Sequence, residues 1–200
     1  MTAQEQYRRM VKECITPALR ERGWRGGSGK YYLNGTTGHV GSVILSGNHR
    51  RSNSQVRAFH MHIGVRSMYL QEFQEGTGRA PLSKRPSHAV EHDWLDEVAT
   101  FTITSEDDPL DVGAFVWTVL ESQALSPVVA SLDDAGLRRA VDECPVGAGY
   151  GGARTLMDIA HGNFETASRT IESWADSASG DSLDVLYLRT RLREAMTRDD

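Results

Sequence analysis

Residues 57–65 constrain the fold of this chain more than any other stretch, because their side chains alternate in character. Every second residue from Phe59 to Val65 is large and apolar, and the residues between them are glycine or histidine. Alternation with a period of two predicts a half-buried β-strand. A second predicted strand at residues 39–46 precedes it, and the polar loop 47–54 is too short for a parallel crossover. The two strands therefore predict the centre of an antiparallel sheet.

Further elements extend this sheet into an α+β arrangement. Short strands are predicted at residues 30–33, before the turn dipeptide Asn34-Gly35, and at residues 99–104. Apolar residues three and four positions apart between residues 7 and 19 predict an amphipathic first helix. Pro17 lies inside that pattern, so it either kinks the helix or begins a short second one. We expect an N-terminal helix packed on a small antiparallel sheet.

The remainder of the chain has a helical character. Helices are predicted from Asp108-Pro109 to about residue 123, from Ser126-Pro127, and over residues 131–143, 154–161, 164–178 and 182–196. Two segments rich in loop-forming residues interrupt the pattern: residues 71–92 predict a long loop, and the glycines of residues 147–152 predict a flexible link. We therefore predict an α+β domain over residues 1–145 and a helical C-terminal extension, packed on it, over residues 146–200.

The composition favours a globular protein with a core of its own. Hydrophobic residues make up 39% of the 200 residues and charged residues 24%, which is unlike a disordered chain. The first residues lack the apolar core of a signal peptide, and no later segment approaches a membrane span. Cys14 lies on a helix stripe and Cys144 precedes Pro145, contexts typical of two separate reduced thiols. We therefore expect a cytoplasmic protein without a membrane partner.

Charge is divided unevenly along the chain. Residues 1–90 carry 14 Lys and Arg against 5 Asp and Glu, whereas residues 91–200 carry 8 against 22. Such an asymmetry indicates a basic surface for an anionic partner or an acidic surface for a basic one. It is equally typical of two halves of a chain that attract one another.

Several of these features occur together in one known family. They are Ile15-Thr16-Pro17-Ala18-Leu19, Gly23-Trp24, Tyr31-Tyr32-Leu33, the strand at residues 40–46 and Phe59-His60-Met61-His62-Ile63-Gly64-Val65. In order, they form a helix ending in Gly-aromatic, a Gly-rich turn, and strands of which the last begins with an aromatic residue and ends in Gly-Val. Over roughly residues 7–140, including the region of Trp94, the sequence resembles an uncharacterised bacterial family, domain-of-unknown-function family 4304. The resemblance implies an α+β fold and no particular activity.

His60 and His62 are candidates for a functional site. Two positions apart on one strand, their side chains leave the same face about 6–7 Å apart, and two such imidazoles bind a transition metal when further ligands arrive from elsewhere. His88 and His92, which are four residues apart, are the candidate further ligands. The alternative is that His60 and His62 line the polar face of a half-exposed sheet. Because no HExxH motif occurs and the cysteines are not spaced for zinc, we predict no metal and no other cofactor.

Basic residues gather near the same pair of strands. Arg50, Arg51 and Arg57 accompany His60 and His62, and these five residues are the candidate binding residues. With Tyr31, Tyr32 and Tyr69 nearby in sequence, a basic and aromatic sheet face of this kind is typical of proteins that bind single-stranded nucleic acid. The alternative is that the arginines are solvated loop charges or partners of the acidic helices.

Two further patterns lack the context that their chemistry requires. Residues 147–152 superficially resemble a dinucleotide-binding loop, but no apolar strand precedes them and no acidic residue follows a second strand. No GxSxG motif occurs, and a cysteine on a helix stripe, such as Cys14, is typical of an inert thiol. The sequence therefore predicts no catalytic residues.

Acidic residues in the second half of the chain suggest a function. They cluster at residues 106–108, 133–134, 142–143 and 199–200, a distribution typical of a surface that faces a basic protein. Our leading hypothesis is a non-enzymatic protein-interaction module. The alternative is a metal-dependent enzyme or a nucleic-acid-binding protein that uses the His60/His62 sheet face and the neighbouring arginines.

Overall fold

The structure of the protein is a computed structural model, and it describes residues 1–78, 100–143, 148–177 and 182–198. The described residues form two compact units. Unit 1 comprises residues 1–65 and 100–133, and unit 2 comprises residues 66–78, 134–143, 148–177 and 182–198. The domain boundary at residue 145 stays a prediction, although residues 66–78 and 134–143 group with the C-terminal helices.

A five-stranded antiparallel sheet lies at the centre of unit 1. Its strands are neighbours in chain order: β1 (Arg25–Gly27), β2 (Lys30–Asn34), β3 (Val40–Gly47), β4 (Val56–Arg66) and β5 (Thr100–Thr104). Tyr31 lies opposite Val43, and Phe59 lies opposite Phe101. The predicted α+β class, with a helix at the N-terminus and helices in the C-terminal half, is confirmed.

The described helices follow in chain order: α1 (Ala3–Met10), α2 (Thr16–Glu21), α3 (Met68–Gly76), α4 (Pro109–Val119), α5 (Ser126–Ala130), α6 (Asp134–Glu143), α7 (Ala148–Ala160), α8 (Phe164–Ser177) and α9 (Leu183–Met196). Two π-helical segments, Val11–Ile15 and Leu120–Leu125, join α1 to α2 and α4 to α5 without a break. Unit 1 therefore contains two long helices, which we call helix 3–21 and helix 109–130.

Both long helices continue through a proline. A proline inside an α-helix lacks an N–H group, and its ring clashes with the carbonyl group four residues earlier. In each long helix a π-helical segment ends just before the Thr-Pro or Ser-Pro pair. In helix 3–21, both the backbone N–H and the hydroxyl of Thr16 donate to the carbonyl of Val11, five residues back. The Thr16 side chain therefore does not cap a separate second helix, because the chain stays helical through Pro17 after the wider π turn, whereas a kink at Pro17 stays a prediction.

Helix 109–130 also differs from its prediction, which ended one helix near residue 123 and began another at Ser126. It is a continuous helix of 22 residues, and by length and composition it is the one helix of the described ranges that could cross a membrane. Only 39% of the most apolar 18-residue stretch of this helix is buried. The prediction that no segment approaches a membrane span is therefore wrong, because this helix has the length and the composition of one.

The core of unit 1 lies between the sheet and the two long helices. Phe59 stacks on Phe101 with 5.4 Å between ring centroids, and Tyr7 of α1 lies 5.1 Å from Phe59. Gly41 of β3 lets Val128 of α5 approach the sheet closely. Because burying one large apolar side chain contributes about 1.5–3 kcal/mol, these contacts fix the helices on one face of the sheet. The other face carries His60 and His62.

Unit 2 consists of helices packed around α7, which contacts α3, α6, α8 and α9. Gly151 and Gly152 of α7 lie against the rings of Trp174 and Phe73. The flexible link predicted for residues 147–152 is therefore wrong from residue 148 onwards, because the glycines let aromatic rings pack directly on the helix backbone. Residue 147 lies outside the described residues.

The loop predicted for residues 71–92 is wrong over its first part, because Met68–Gly76 forms α3. The hydroxyl of Ser67 caps this helix by accepting from the backbone N–H groups of Tyr69 and Leu70. Tyr69, Leu70 and Phe73, at helical spacing, are buried. Their packing outweighs the polar composition on which the loop prediction rested, and residues 79–92 lie outside the described residues.

Tyr7 gives a pH-dependent test of the unit 1 core. Its hydroxyl donates to the carbonyl of Leu45 at 3.1 Å, and burial raises the pKa of Tyr7 to about 12 although the nearby Arg57 guanidinium lowers it. Because the folded state favours the protonated hydroxyl, Tyr7 stabilises the fold fully below pH 10. This stabilisation is lost as the pH rises towards 12. Between pH 10 and 12, we expect wild-type protein to lose on the order of 2 kcal/mol more unfolding free energy than Tyr7→Phe in urea titrations. An identical pH dependence in both proteins would contradict this assignment.

Candidate functional site

His60 and His62 share the face of β4 that points away from Phe59, and their ring centroids are 6.0 Å apart. His62 is exposed, and its Nε2 lies 2.8 Å from Oγ of Ser46 on β3. His60 is half-buried, with its Nε2 2.9 Å from Nδ2 of Asn48 and its Nδ1 3.1 Å from Oγ1 of Thr100. Both imidazoles are therefore hydrogen-bonded to neighbouring parts of the sheet.

These hydrogen bonds limit what the two histidines can do. A metal ion coordinated by His60 would have to replace Asn48 or Thr100 at a ring nitrogen. Within the described ranges, no three His, Cys, Asp or Glu side chains are grouped so that they could hold a metal ion. His88 and His92 lie outside the described residues. The observed contacts are those of polar cross-strand pairs, which stabilise a sheet by about 0.2–1 kcal/mol each.

The pair formed by Ser46 and His62 was missed by the sequence reasoning, which found no nucleophile next to a base. Only the register of β3 against β4 brings these two residues together. A hydroxyl hydrogen-bonded to an imidazole is the first part of a nucleophile–base arrangement, which also needs a group that orients the imidazole. In the part of the chain that the structure describes, no carboxylate is hydrogen-bonded to His62. We therefore interpret the Ser46–His62 hydrogen bond as a contact between β3 and β4 that stabilises the sheet.

The candidate arginines do not join the histidine face. Arg57 is three residues from His60, so its side chain leaves the opposite face of β4, where Cζ lies 5.7 Å from the centre of the Tyr7 ring. Arg50 and Arg51 are exposed in the 3₁₀ turn His49–Arg51, which the side chain of Asn48 caps. The prediction that Arg57 and the histidines share a sheet face is therefore wrong, because neighbouring side chains of a strand alternate between faces.

A second surface lies on helix 109–130. Phe115 is 59% exposed and Leu110 is 42% exposed, although both are large and apolar. One edge of Phe115 contacts Phe101, with 6.2 Å between ring centroids. Asp111 lies one turn before Phe115 and is also exposed. We call the exposed residues of this surface the helix face; they are Leu110, Asp111, Ala114, Phe115 and Thr118.

The exposure of Phe115 differs from the buried position that its helical spacing predicts. Its spacing from Val112, Val116, Val119 and Leu120 placed it with them on the buried side of the helix. Val116, Val119 and Leu120 are indeed buried, and they point into the core of unit 1. Phe115 precedes Val116 by one residue, which is a rotation of about 100° around the helix axis. This rotation brings its ring to the edge of the core and leaves most of it exposed.

The helix face is surrounded by acidic groups. Residues 100–133 contain six Asp and Glu and no Lys or Arg. Asp108 caps α4 by accepting from the N–H of Leu110 at 2.8 Å, and Glu121 pairs with Arg22. Asp111 makes no ion pair within the described ranges. The helix face therefore combines exposed apolar side chains with an unpaired negative charge.

Comparisons of this chain with known proteins do not identify a relative. No family model matches the sequence. No curated protein is significantly similar to it. No solved structure is significantly similar to it either. The resemblance to domain-of-unknown-function family 4304 therefore stays a prediction.

Proposed function

We propose that this protein is a non-enzymatic interaction module whose helix face binds a basic partner protein. The observation that carries the proposal is the 59% exposure of Phe115 on a helix that buries Val116, Val119 and Leu120 in the core. Burying a large apolar side chain contributes about 1.5–3 kcal/mol to association, and aromatic residues are enriched among the residues that dominate binding energy. Phe115 is thus the anchor of the proposed interface.

The charge around the helix face supports a basic partner. Asp111 lies next to the anchor, and Glu106 and Asp108 are exposed near the start of the same helix. An acidic rim attracts a partner that presents Lys or Arg around an apolar patch, and it repels acidic proteins. We therefore expect complex formation to weaken as the salt concentration rises.

The chemistry of the other candidate residues supports a role without catalysis. The His60 and His62 rings are hydrogen-bonded to the side chains of Ser46, Asn48 and Thr100. Burial raises the pKa of the Cys14 thiol, and the negative charges of Glu13 and Asp108 raise it further. A thiol with a raised pKa forms little thiolate at neutral pH and is a poor nucleophile.

Phe115→Ser is expected to abolish the complex while leaving the fold intact. The proposal predicts that wild-type protein in cell extracts of its own organism elutes well above the 22.1 kDa of the single chain, and that Phe115→Ser elutes at its own mass. Phe115 is mostly exposed, so the substitution should change the free energy of unfolding by less than about 1 kcal/mol. Gel filtration with immunodetection measures the size, and circular dichroism verifies folding.

Leu183→Ser is the matched control, because Leu183 is 69% exposed and lies in unit 2. It should elute with the wild-type complex. Elution of the wild type as a single chain, or equal behaviour of the two variants, would overturn the proposal. Light scattering on purified wild type provides the remaining test: self-association that Phe115→Ser abolishes would assign the helix face to a second copy of this chain instead.

A further inference from the structure

A cleft of about 870 Å³ opens beside helix 3–21 in unit 1. The helix contributes Arg8, Lys12 and Arg20 to one wall, and the turn between β1 and β2 contributes Ser28 to the other. Pro17 adds an exposed apolar surface. We call this concavity, defined by these five residues, the basic cleft. Its volume is within the range of sites that hold a ligand, about 300–1,000 Å³.

The cations of the basic cleft differ from their neighbours on the same helix. Arg9 pairs with Glu13 at 2.9 Å, and Arg22 pairs with Glu121. Within the described ranges, no acidic side chain lines the cleft, and Arg8 and Lys12 make no ion pair. Three positive charges in one concavity repel one another, and a bound anion relieves that repulsion.

The position of Glu5 also leaves the cleft positive. Glu5 lies one turn before Arg8, but its carboxylate accepts from the backbone N–H of Thr2 at 2.7 Å in a capping box. These hydrogen bonds to Thr2 lower the pKa of Glu5 and hold its charge at the start of α1. Arg20 is positioned as well, because it donates to the carbonyl of Gly26 at 3.3 Å. The cleft therefore keeps its positive charge, and one of its three cations is hydrogen-bonded to Gly26 of β1, next to the turn that forms the opposite wall.

We propose that the basic cleft binds an extended acidic peptide segment of another protein. At about 1.5 Å per helical residue, Arg8 and Lys12 are about 6 Å apart along the helix, and Lys12 and Arg20 about 12 Å apart. Side chains on one face of an extended peptide repeat every 6–7 Å. Alternate acidic residues of such a peptide therefore match the spacing of the cations, which a single phosphate group would not.

The walls of the cleft favour a peptide over nucleic acid. Proteins that bind single strands provide exposed aromatic rings on which the bases stack. Among the described residues that line the cleft, the aromatic one is Tyr7, which is only 8% exposed. Pro17 offers a surface for an apolar side chain, and the hydroxyl of Ser28 offers a hydrogen bond to a peptide group. The basic cleft shares no residue with the helix face, so this proposal does not depend on the proposed function.

The test is a titration of the full chain against a fluorescein-labelled peptide of alternating glutamate and valine with four glutamates. Fluorescence anisotropy at low salt should show saturable binding to the wild type. Arg8→Ala/Lys12→Ala removes two exposed charges from the cleft and should weaken binding about tenfold. Arg50→Ala/Arg51→Ala removes the same charge from the exposed 3₁₀ turn, and it should leave the affinity within twofold of wild type.

The outcomes are separable. Equal weakening by the two double variants would mean general attraction between opposite charges and would overturn the site. Absence of saturable binding to wild type would overturn it as well. Tighter binding of a five-nucleotide deoxythymidine strand with four phosphates, sensitive to Arg8→Ala/Lys12→Ala, would assign the cleft to nucleic acid instead of a peptide. Circular dichroism on each variant excludes unfolding as the cause of a loss.

Discussion

Arg138→Met is expected to lower the free energy of unfolding of unit 2 by about 3–5 kcal/mol. In this unit, Nη1 of Arg138 on α6 lies 2.6 Å from Oδ1 of Asp158 on α7, and Asp158 is 1% exposed. Methionine retains much of the aliphatic length but no charge, so the buried carboxylate would lose its ion-pair partner. The side-chain amide of Asn163, at 3.4 Å, compensates only weakly.

Arg154→Met is the matched control for this prediction. Arg154 of α7 pairs with Asp142 of α6 at 2.9 Å, but both side chains are more than 40% exposed. An exposed ion pair contributes about 0–1 kcal/mol, so this variant should stay close to wild type. Urea unfolding followed by circular dichroism, with hydrogen exchange of the α7 amides, measures both variants. Equal losses would contradict the importance we give to burial of Asp158.

Gly152→Ala is expected to destabilise unit 2 by about 1–3 kcal/mol, although alanine normally stabilises a helix by about 1 kcal/mol relative to glycine. A methyl group at position 152 would lie 2.6 Å from Cε2 of Phe73, a ring that is fully buried. Neither the ring nor the helix backbone can move without opening the core. The expected sign is therefore opposite to that of helix propensity.

The control for position 152 is Gly27→Ala. Within the described ranges, no atom lies within 4 Å of the place where its methyl group would be, and its backbone is compatible with alanine. The melting temperature of Gly27→Ala should therefore stay within a few degrees of wild type, whereas that of Gly152→Ala should fall clearly. A higher melting temperature for Gly152→Ala would show that α3 and α7 are packed less closely than described.

The sheet could be predicted because its signal is local. Strict alternation at residues 57–65 determines the two faces of β4, and the short loop before it requires an antiparallel neighbour. The observed bounds of β2 to β5 lie within one residue of the predicted bounds. The helices after residue 104 were also found, because apolar residues at helical spacing report one buried side of each helix.

The errors have a common physical origin in contacts between distant residues. Glycines at positions 151 and 152 are typical of a loop unless Trp174 and Phe73 are known to pack on them. Helix periodicity predicts the buried side of helix 109–130. Whether Phe115 is buried or exposed depends on its contact with Phe101 of β5, which lies at the edge of the core. The helix face therefore had no signal in the sequence alone.

The candidate sites illustrate the same limit. Arg57 is close to His60 in sequence, yet strand alternation separates their side chains, and this could have been predicted. Pairing of Ser46 with His62 follows from the register of two strands, which the sequence does not specify. The basic cleft had a partial signal, since Arg8 and Lys12 are four residues apart on one helix. Their lack of acidic partners in the described residues becomes visible only in three dimensions.

Site-specific photo-crosslinking tests the central claim, that the helix face binds a basic protein, most directly. Benzoylphenylalanine is placed at position 115, and in a control protein at position 183, and cells of the native organism are irradiated before the adducts are identified by mass spectrometry. The proposal predicts an adduct with a basic protein from position 115 and not from position 183. Adducts with lipid, adducts with a second copy of this chain, or the same adducts from both positions would contradict it.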